Sequence, residues 1–146
     1  MKIGVFPMCA DLLHVGHIAA IREASTKCDS LIICLNCNPE GKEPIQSVFE
    51  RWYQLIYTEN VAQVIPYAGE EDLELLLKVI PHQVRFVGSD YVDRDFTGKS
   101  YELEKDVTIC YISRDHGLST TQLKQRVIAH EKSDSNKSHK RGEHAL

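Results

Sequence analysis

Two histidines three residues apart, His14 and His17, flank Gly16 in the run Asp11-Leu12-Leu13-His14-Val15-Gly16-His17. The run follows the β-branched and aromatic stretch Ile3 to Phe6, which ends at Pro7 and reads as a short buried strand. It opens a segment from His14 to Lys27 whose apolar positions Val15, Ile18, Ala19 and Ile21 suit a helix. Both imidazoles then lie on one face of the first helical turn. Unpaired backbone N–H groups and the positive end of the dipole favour anions there. Gly16 has no side chain, so a ligand can approach the backbone closely. Imidazoles beside a phosphate can donate to oxygens that gain charge as phosphorus becomes five-coordinate. A zinc pair is a second reading, although it usually wants an i,i+4 spacing and a third ligand. Surface histidines without a role are a third, and spacing alone leaves all three open.

A second constellation, Arg114-Asp115-His116-Gly117-Leu118-Ser119-Thr120-Thr121, follows the apolar run Val107 to Ile112 and opens the last helical segment. Ser119 or Thr120 can cap that helix, whose start is another cradle for phosphate. Arg114 adds a planar fork suited to phosphate oxygens. The plainer reading is an ordinary cap with an exposed arginine. Lys42 sits in the polar stretch Asn36 to Gln46, which Pro39, Gly41 and Pro44 break into a loop. It is either solvated loop charge or a third phosphate contact.

The elements that must position these residues are legible as alternating strands and helices. Ser30 to Leu35 reads as a strand, and Ser47 followed by Glu50 is a capping-box start for a helix to about Asn60. Gln63 to Tyr67 is a strand, Glu71 to Ile80 a helix stopped by Pro81, and Gln83 to Val87 and Val107 to Ile112 further strands. A helix over Thr120 to His130 closes the series. This alternation predicts an α/β fold with a doubly wound parallel sheet, whose ligands sit at the carboxyl ends of the strands. Residues 1–130 form one domain, while 131–146 are so polar that the sequence predicts a tail without structure.

Across 146 residues, 42% are apolar and 26% charged, with a formal charge of −4. That balance gives no general attraction to nucleic acid or anionic membranes, so a polyanion site has to be local. No apolar run reaches the length of a membrane span, and Met1 to Pro7 lacks the pattern of a signal peptide. Five cysteines, mostly in or beside apolar runs, fit reduced thiols in a cytoplasmic protein. Cys34-Leu35-Asn36-Cys37 is a lone C-x-x-C with no second pair at zinc spacing, and structural thiols are the expectation.

The two constellations, in this order and at this separation, resemble the signatures of the glycerol-3-phosphate cytidylyltransferase family, within the His-x-Gly-His nucleotidyltransferases. Glu50-Arg51, Val64-Ile65-Pro66 and Val87-Gly88-Ser89-Asp90 extend the resemblance over about residues 1 to 128. It implies a Rossmann-like fold, a five-stranded parallel sheet with helices on both faces. It also implies direct in-line attack by an acceptor phosphate on the α-phosphorus of CTP, with Mg²⁺ on the triphosphate and no metal site of the protein's own. A small phosphorylated alcohol or sugar is the acceptor class, and the family commonly forms homodimers. Carried over, His14, His17, Lys42 and Arg114 are the catalytic set, holding phosphates and stabilising the transition state. Cys9, Ala10, Asp11 and Gly16 line the nucleotide on one side, and Asp90, Ser119, Thr120 and Thr121 on the other.

The chain also departs from that pattern. Met8-Cys9-Ala10 replaces Gly-Thr-Phe, Glu40 and Leu73 stand where lysines serve the acceptor, and Glu59 replaces an arginine. Two alternatives follow: an adenylyltransferase of the same fold using ATP, and a nucleotide-binding protein without catalysis.

Overall fold

The computed structural model describes residues 1–114 and 117–143, so Asp115 and His116 of the second motif lie outside the described residues. Five parallel strands run in the order β3-β2-β1-β4-β5: β1 (Ile3–Met8), β2 (Ser30–Asn36), β3 (Gln63–Tyr67), β4 (Val84–Gly88) and β5 (Thr108–Ile112). Between them come α1 (Val15–Ser25), α2 (Val48–Ile56), α3 (Glu70–Val79) and α4 (Lys99–Glu104), with α5 (Thr120–Glu143) last. Strands covered on both faces read as continuous apolar runs, and Leu31 through Leu35 are all buried. Successive residues point to opposite sides. Phe6, Ile33, Leu35 and Phe86 therefore pack with Ile21 and Ala24 of α1 and Leu55 of α2. Val5, Ile32 and Cys34 pack on the other face with Leu73 and Leu77 of α3. The expected architecture, with helices on both faces, is the observed one.

The order of the strands locates the crevice. From β1 the chain winds outward through β2 to β3, then crosses back to place β4 on the other side of β1. Loops leaving β1 and β4 consequently diverge at their carboxyl ends, the usual place for a ligand in such a sheet.

Three local differences from the sequence reading have physical causes. Pro7 lies inside β1 rather than at its end. Helix α4 went unforeseen because it is six residues long and its buried residue is Glu102, a carboxylate, so no apolar period marks it. Glu102 instead binds His82 at 2.7 Å and Arg85 at 2.6 Å, a fully buried ionic cluster under β4. Lastly, α5 continues to Glu143, where a structureless tail was expected. Its described side chains from 125 to 139 are all exposed, so burial does not explain the helix. Alanine, glutamine, lysine and arginine propensity and an i,i+4 pair of His130 with Asp134 at 3.2 Å support it instead.

Cys34 is fully buried, which pushes its thiol up to about 12, and the Cys37 thiol donates to the Leu35 carbonyl at 3.7 Å. Neither cysteine of the C-x-x-C belongs to a group that could hold a metal ion among the described residues. Leu77, 1% exposed at the centre of the second core, tests the packing. Leu77→Ala should cost about 2–5 kcal/mol, read as a lower urea midpoint at unchanged slope.

Candidate active site

The loop after β1 turns sharply before α1. Ala10 and Leu12 have φ of 55° and 49°, a left-handed backbone that side chains other than glycine's disfavour. Such strain persists only where neighbours over-determine it. Here Asp11, between them, is 6% exposed, and its two carboxylate oxygens accept the N–H groups of Ile45 and Gln46 at 3.0 and 2.9 Å. Gln46 returns the bond, its Oε1 accepting from Leu12 N–H at 2.7 Å. Lys124 of α5 adds its ammonium 3.6 Å from Asp11 Oδ2. Burial alone would raise the Asp11 pKa, but these two N–H donors and Lys124 outweigh it and hold the carboxyl below its ordinary value. Asp11 is ionised and fully engaged as a loop clamp.

His14 caps α1. Its Nδ1 accepts from Gly16 N–H at 3.0 Å, so the neutral ring carries its proton on Nε2, 3.1 Å from Thr120 Oγ1. The Thr120 hydroxyl then donates to the Asp11 carbonyl at 3.1 Å. A continuous chain of bonds thus runs from the start of α1 through the start of α5 and back to the β1 loop. His17 Nδ1 accepts from His14 N–H at 3.2 Å, which leaves the proton on its Nε2. The rings lie against each other, tilted by 43°, with centroids 4.0 Å apart. Burial, together with the positive fields of His14 and Arg114, pushes the His17 pKa down to about 4. His17 is therefore a neutral donor at physiological pH.

This geometry refines the expectation of a bare anion cradle at α1. The N–H groups of His14 and Gly16 are taken by the two imidazoles, so the helix offers its dipole and the His17 Nε2–H more than those two amides. Gly16 is needed for close packing: a Cβ there would lie 2.7 Å from His14 Cε1 and 3.0 Å from the Leu118 carbonyl.

On the far side of the crevice, Arg114 Nε lies 3.4 Å from Asp90 Oδ1 across the bare Cα of Gly88. With 66% and 46% of the two side chains exposed, this pair is worth at most about 1 kcal/mol and can be exchanged for another anion. Ser119 caps α5, its hydroxyl accepting from Gln122 N–H at 3.1 Å, and Thr121 is exposed in the first turn. Lys42 is exposed in the loop before α2 and makes no contact with this group among the described residues. Cys9 accepts from the Arg51 guanidinium through its carbonyl at 2.9 Å and through its sulfur at 3.7 Å. Leu73 is 3% exposed in the core, so it cannot serve an acceptor.

Asp11, His14, His17, Thr120 and Ser119 therefore converge, Asp90 and Arg114 face them, and Lys42 stays apart. Sequence reasoning missed Gln46 and Lys124 and assigned Arg51 no role. Lys124 was findable, since it lies one helical turn beyond Thr120 and shares its face. No cluster of three metal-ligating side chains occurs among the described residues. Cavities of about 330 and 460 Å³ beside α3 lie elsewhere, and the larger is lined by Glu70, Glu71, Glu74 and Asp95, the wrong sign for phosphate.

The depressed His17 pKa predicts an acid-sensitive stability. The unfolded chain gains a proton at His17 near pH 6.5 and the folded chain only near 4. The stabilisation is complete above 6.5 and lost as pH falls toward 4. Urea midpoints should fall over this window, and fall less in His17→Gln; equal slopes would refute the assignment.

Comparison with known proteins gives the family. A family model described as cytidylyltransferase-like matches residues 5–136. A bifunctional protein HldE of Aliarcobacter butzleri is 32% identical over 130 residues, covering 85% of this chain and 26% of that protein. HldE of Granulibacter bethesdensis is 26% identical over 133 residues, covering 87% and 27%. The chain thus spans about a quarter of the length of these curated relatives. A lipopolysaccharide core biosynthesis protein from Thermoplasma volcanium shares the fold at a TM-score of 0.65 and 21% identity, covering 77% of this chain and 97% of that one. A pantothenate synthetase from Thermus thermophilus follows at 0.57 and 16%, covering 86% and 64%. With the family match spanning nearly the whole sheet and both motifs, the chain belongs to the cytidylyltransferase-like family of nucleotidyltransferases.

Proposed function

We propose that the chain transfers CMP from CTP to the phosphate of a small phosphorylated alcohol or sugar, releasing pyrophosphate. The observation that carries this reading is the convergence of two helix starts, a neutral imidazole donor and an exchangeable arginine at the carboxyl ends of β1, β4 and β5. An acceptor phosphate oxygen attacks the α-phosphorus, a new P–O bond forms opposite the leaving group, and the bond to pyrophosphate breaks. No covalent enzyme intermediate is needed, so the protein contributes position and charge.

His17 donates its Nε2–H to a phosphate oxygen as negative charge builds. Its neutrality suits the task, because it needs no desolvated cation before substrate arrives. Arg114 exchanges the weak Asp90 contact for the triphosphate, and the start of α5 supplies dipole and N–H groups. The His14 ring, fixed by Gly16 and Thr120, keeps the two helix starts in register. Mg²⁺ would come with the triphosphate; with Asp11 engaged by Ile45, Gln46 and Lys124, Asp90 is the exposed carboxylate among the described residues of the crevice that would hold it. When bound, Mg²⁺ neutralises the phosphates and activates the leaving group. Lys42, in its exposed loop, would have to move inward to contribute.

ATP in place of CTP is the second reading, since base choice rests on contacts outside these motifs and the match to HldE runs over 85% of this chain. The proposal includes a homodimer in the cytoplasm, with the assembly measurable by light scattering. Among the described residues no helix is long and apolar enough to cross a membrane.

The test is pyrophosphate release from CTP or ATP with Mg²⁺ and a panel of phosphorylated alcohols and sugars. Turnover with CTP carries the proposal, turnover with ATP alone moves it to the second reading, and none with either discards both. His17→Ala and Arg114→Ala should each lower kcat by about 10²–10³-fold while leaving the far-UV circular dichroism unchanged.

A further inference from the structure

The five thiols have different neighbours. Cys34 is fully buried, and burial raises the Cys28 thiol above its ordinary value. Cys37 donates to a carbonyl, and the Cys9 sulfur faces the Arg51 guanidinium, which keeps its charge and is no nucleophile. Cys110 meets an amine instead. Lys27 Nζ donates to Cys110 Sγ at 3.5 Å, across 83 residues of chain.

The fold brings this pair together. β5 is an edge strand, and Cys110 stands in register with Phe86 of β4, on the sheet face that packs against α1. Lys27 follows the end of α1 by two residues, so its stem reaches that edge. Cys110 is half-buried and the Lys27 side chain is 42% exposed, which leaves both within reach of a small solute. Glu23, one helical turn earlier, binds the same ammonium at 3.2 Å and raises the Lys27 pKa. The sulfur therefore has a held proton donor beside it, and that donor becomes a nucleophile once its proton has gone. The two elements joined are those that carry the site, since His14 caps α1 and β5 leads to Arg114.

We propose that Lys27 and Cys110 form a redox modification site, which hydrogen peroxide closes into a covalent lysine–cysteine sulfenamide. The Cys110 thiolate attacks one peroxide oxygen, and the O–O bond breaks. The Lys27 ammonium gives its proton to the departing hydroxide, which leaves as water, and the sulfur becomes a sulfenic acid. The freed amine then attacks that sulfur. An N–S bond forms, the S–O bond breaks, and the hydroxyl leaves with an amine proton as a second water. Sulfur loses two electrons and one peroxide becomes two waters. Two equivalents of a thiol reductant restore both side chains. This chemistry stands apart from the proposed transfer reaction and needs no nucleotide.

The experiment treats Cys28→Ser protein with hydrogen peroxide, so that the thiol next to Lys27 cannot form a disulfide mistaken for the link. Peptide mass spectrometry should find Lys27 joined to Cys110, two hydrogens lighter than the separate peptides, and a thiol reductant should release them. Adding Lys27→Arg keeps the cation but removes the amine, so oxidation should stop at a sulfenic acid that dimedone traps. The link closes a long loop and should raise Tm by about 5 °C or more, a rise absent with Lys27→Arg. Should Cys28→Ser fail to fold, fragmentation of the oxidised wild-type peptides locates the bond at Lys27 Nζ or Cys28 Sγ. Products confined to disulfides or to Cys110 sulfinic acid overturn the inference, as does a link that survives Lys27→Arg.

Discussion

The carboxylate of Asp11 is the constraint on which the rest of the site depends. One buried anion gathers two N–H groups from a segment 34 and 35 residues away and the Lys124 ammonium from the last helix. The same residue's carbonyl receives the Thr120 hydroxyl. Charge-assisted bonds of this kind contribute about 1.5–3 kcal/mol each. That is enough to offset the left-handed backbone at Ala10 and Leu12, which flank the aspartate. Alanine would orphan both N–H groups together, and asparagine, with one acceptor oxygen, would orphan one. The strained loop, the start of α1 and the start of α5 are thus parts of one construction rather than three sites that happen to be close.

Around that clamp the charges are divided by depth. Asp11 and Arg51 are buried, and both spend their charge on backbone, the acid on N–H groups and the base on carbonyls. The groups facing the crevice are either neutral, as His17 is, or exposed and weakly paired, as Arg114 is. Preorganisation therefore resides in the buried layer, and exchangeability in the exposed one. A protein with a formal charge of −4 can hold a polyanion under this arrangement because the positive potential is confined to two helix starts and one arginine.

The sheet was legible because the strands are mostly apolar runs bounded by turn residues, and Gln63 to Tyr67 was read to the residue. Both motifs were legible as helix starts following strands. What escaped shares one physical feature, since its signal was polar and nonlocal. Glu102 gives α4 its anchor without any apolar period, and Gln46 and Arg51 act on backbone groups up to 42 residues away. Pairings of that kind have no local pattern. The tail is the converse case: its low apolar content correctly excluded burial, yet helix propensity needs no burial to set a backbone conformation.

The departures from the family pattern weigh differently once backbone and side chain are separated. Met8-Cys9-Ala10 looked like a damaged phosphate loop because its residue types changed. In the structure the loop works through its backbone: the Cys9 carbonyl meets Arg51, and the Asp11 carbonyl meets Thr120. Ala10 is buried and small, and Cys9 keeps its thiol 3.7 Å from the same guanidinium without displacing the carbonyl bond. Substitution there alters the shape of the loop while sparing the bonds that set it. Leu73, by contrast, is core, so a lysine there would have to bury its charge, and the leucine serves packing. Bonds made by the backbone can thus persist while the side chains around them change.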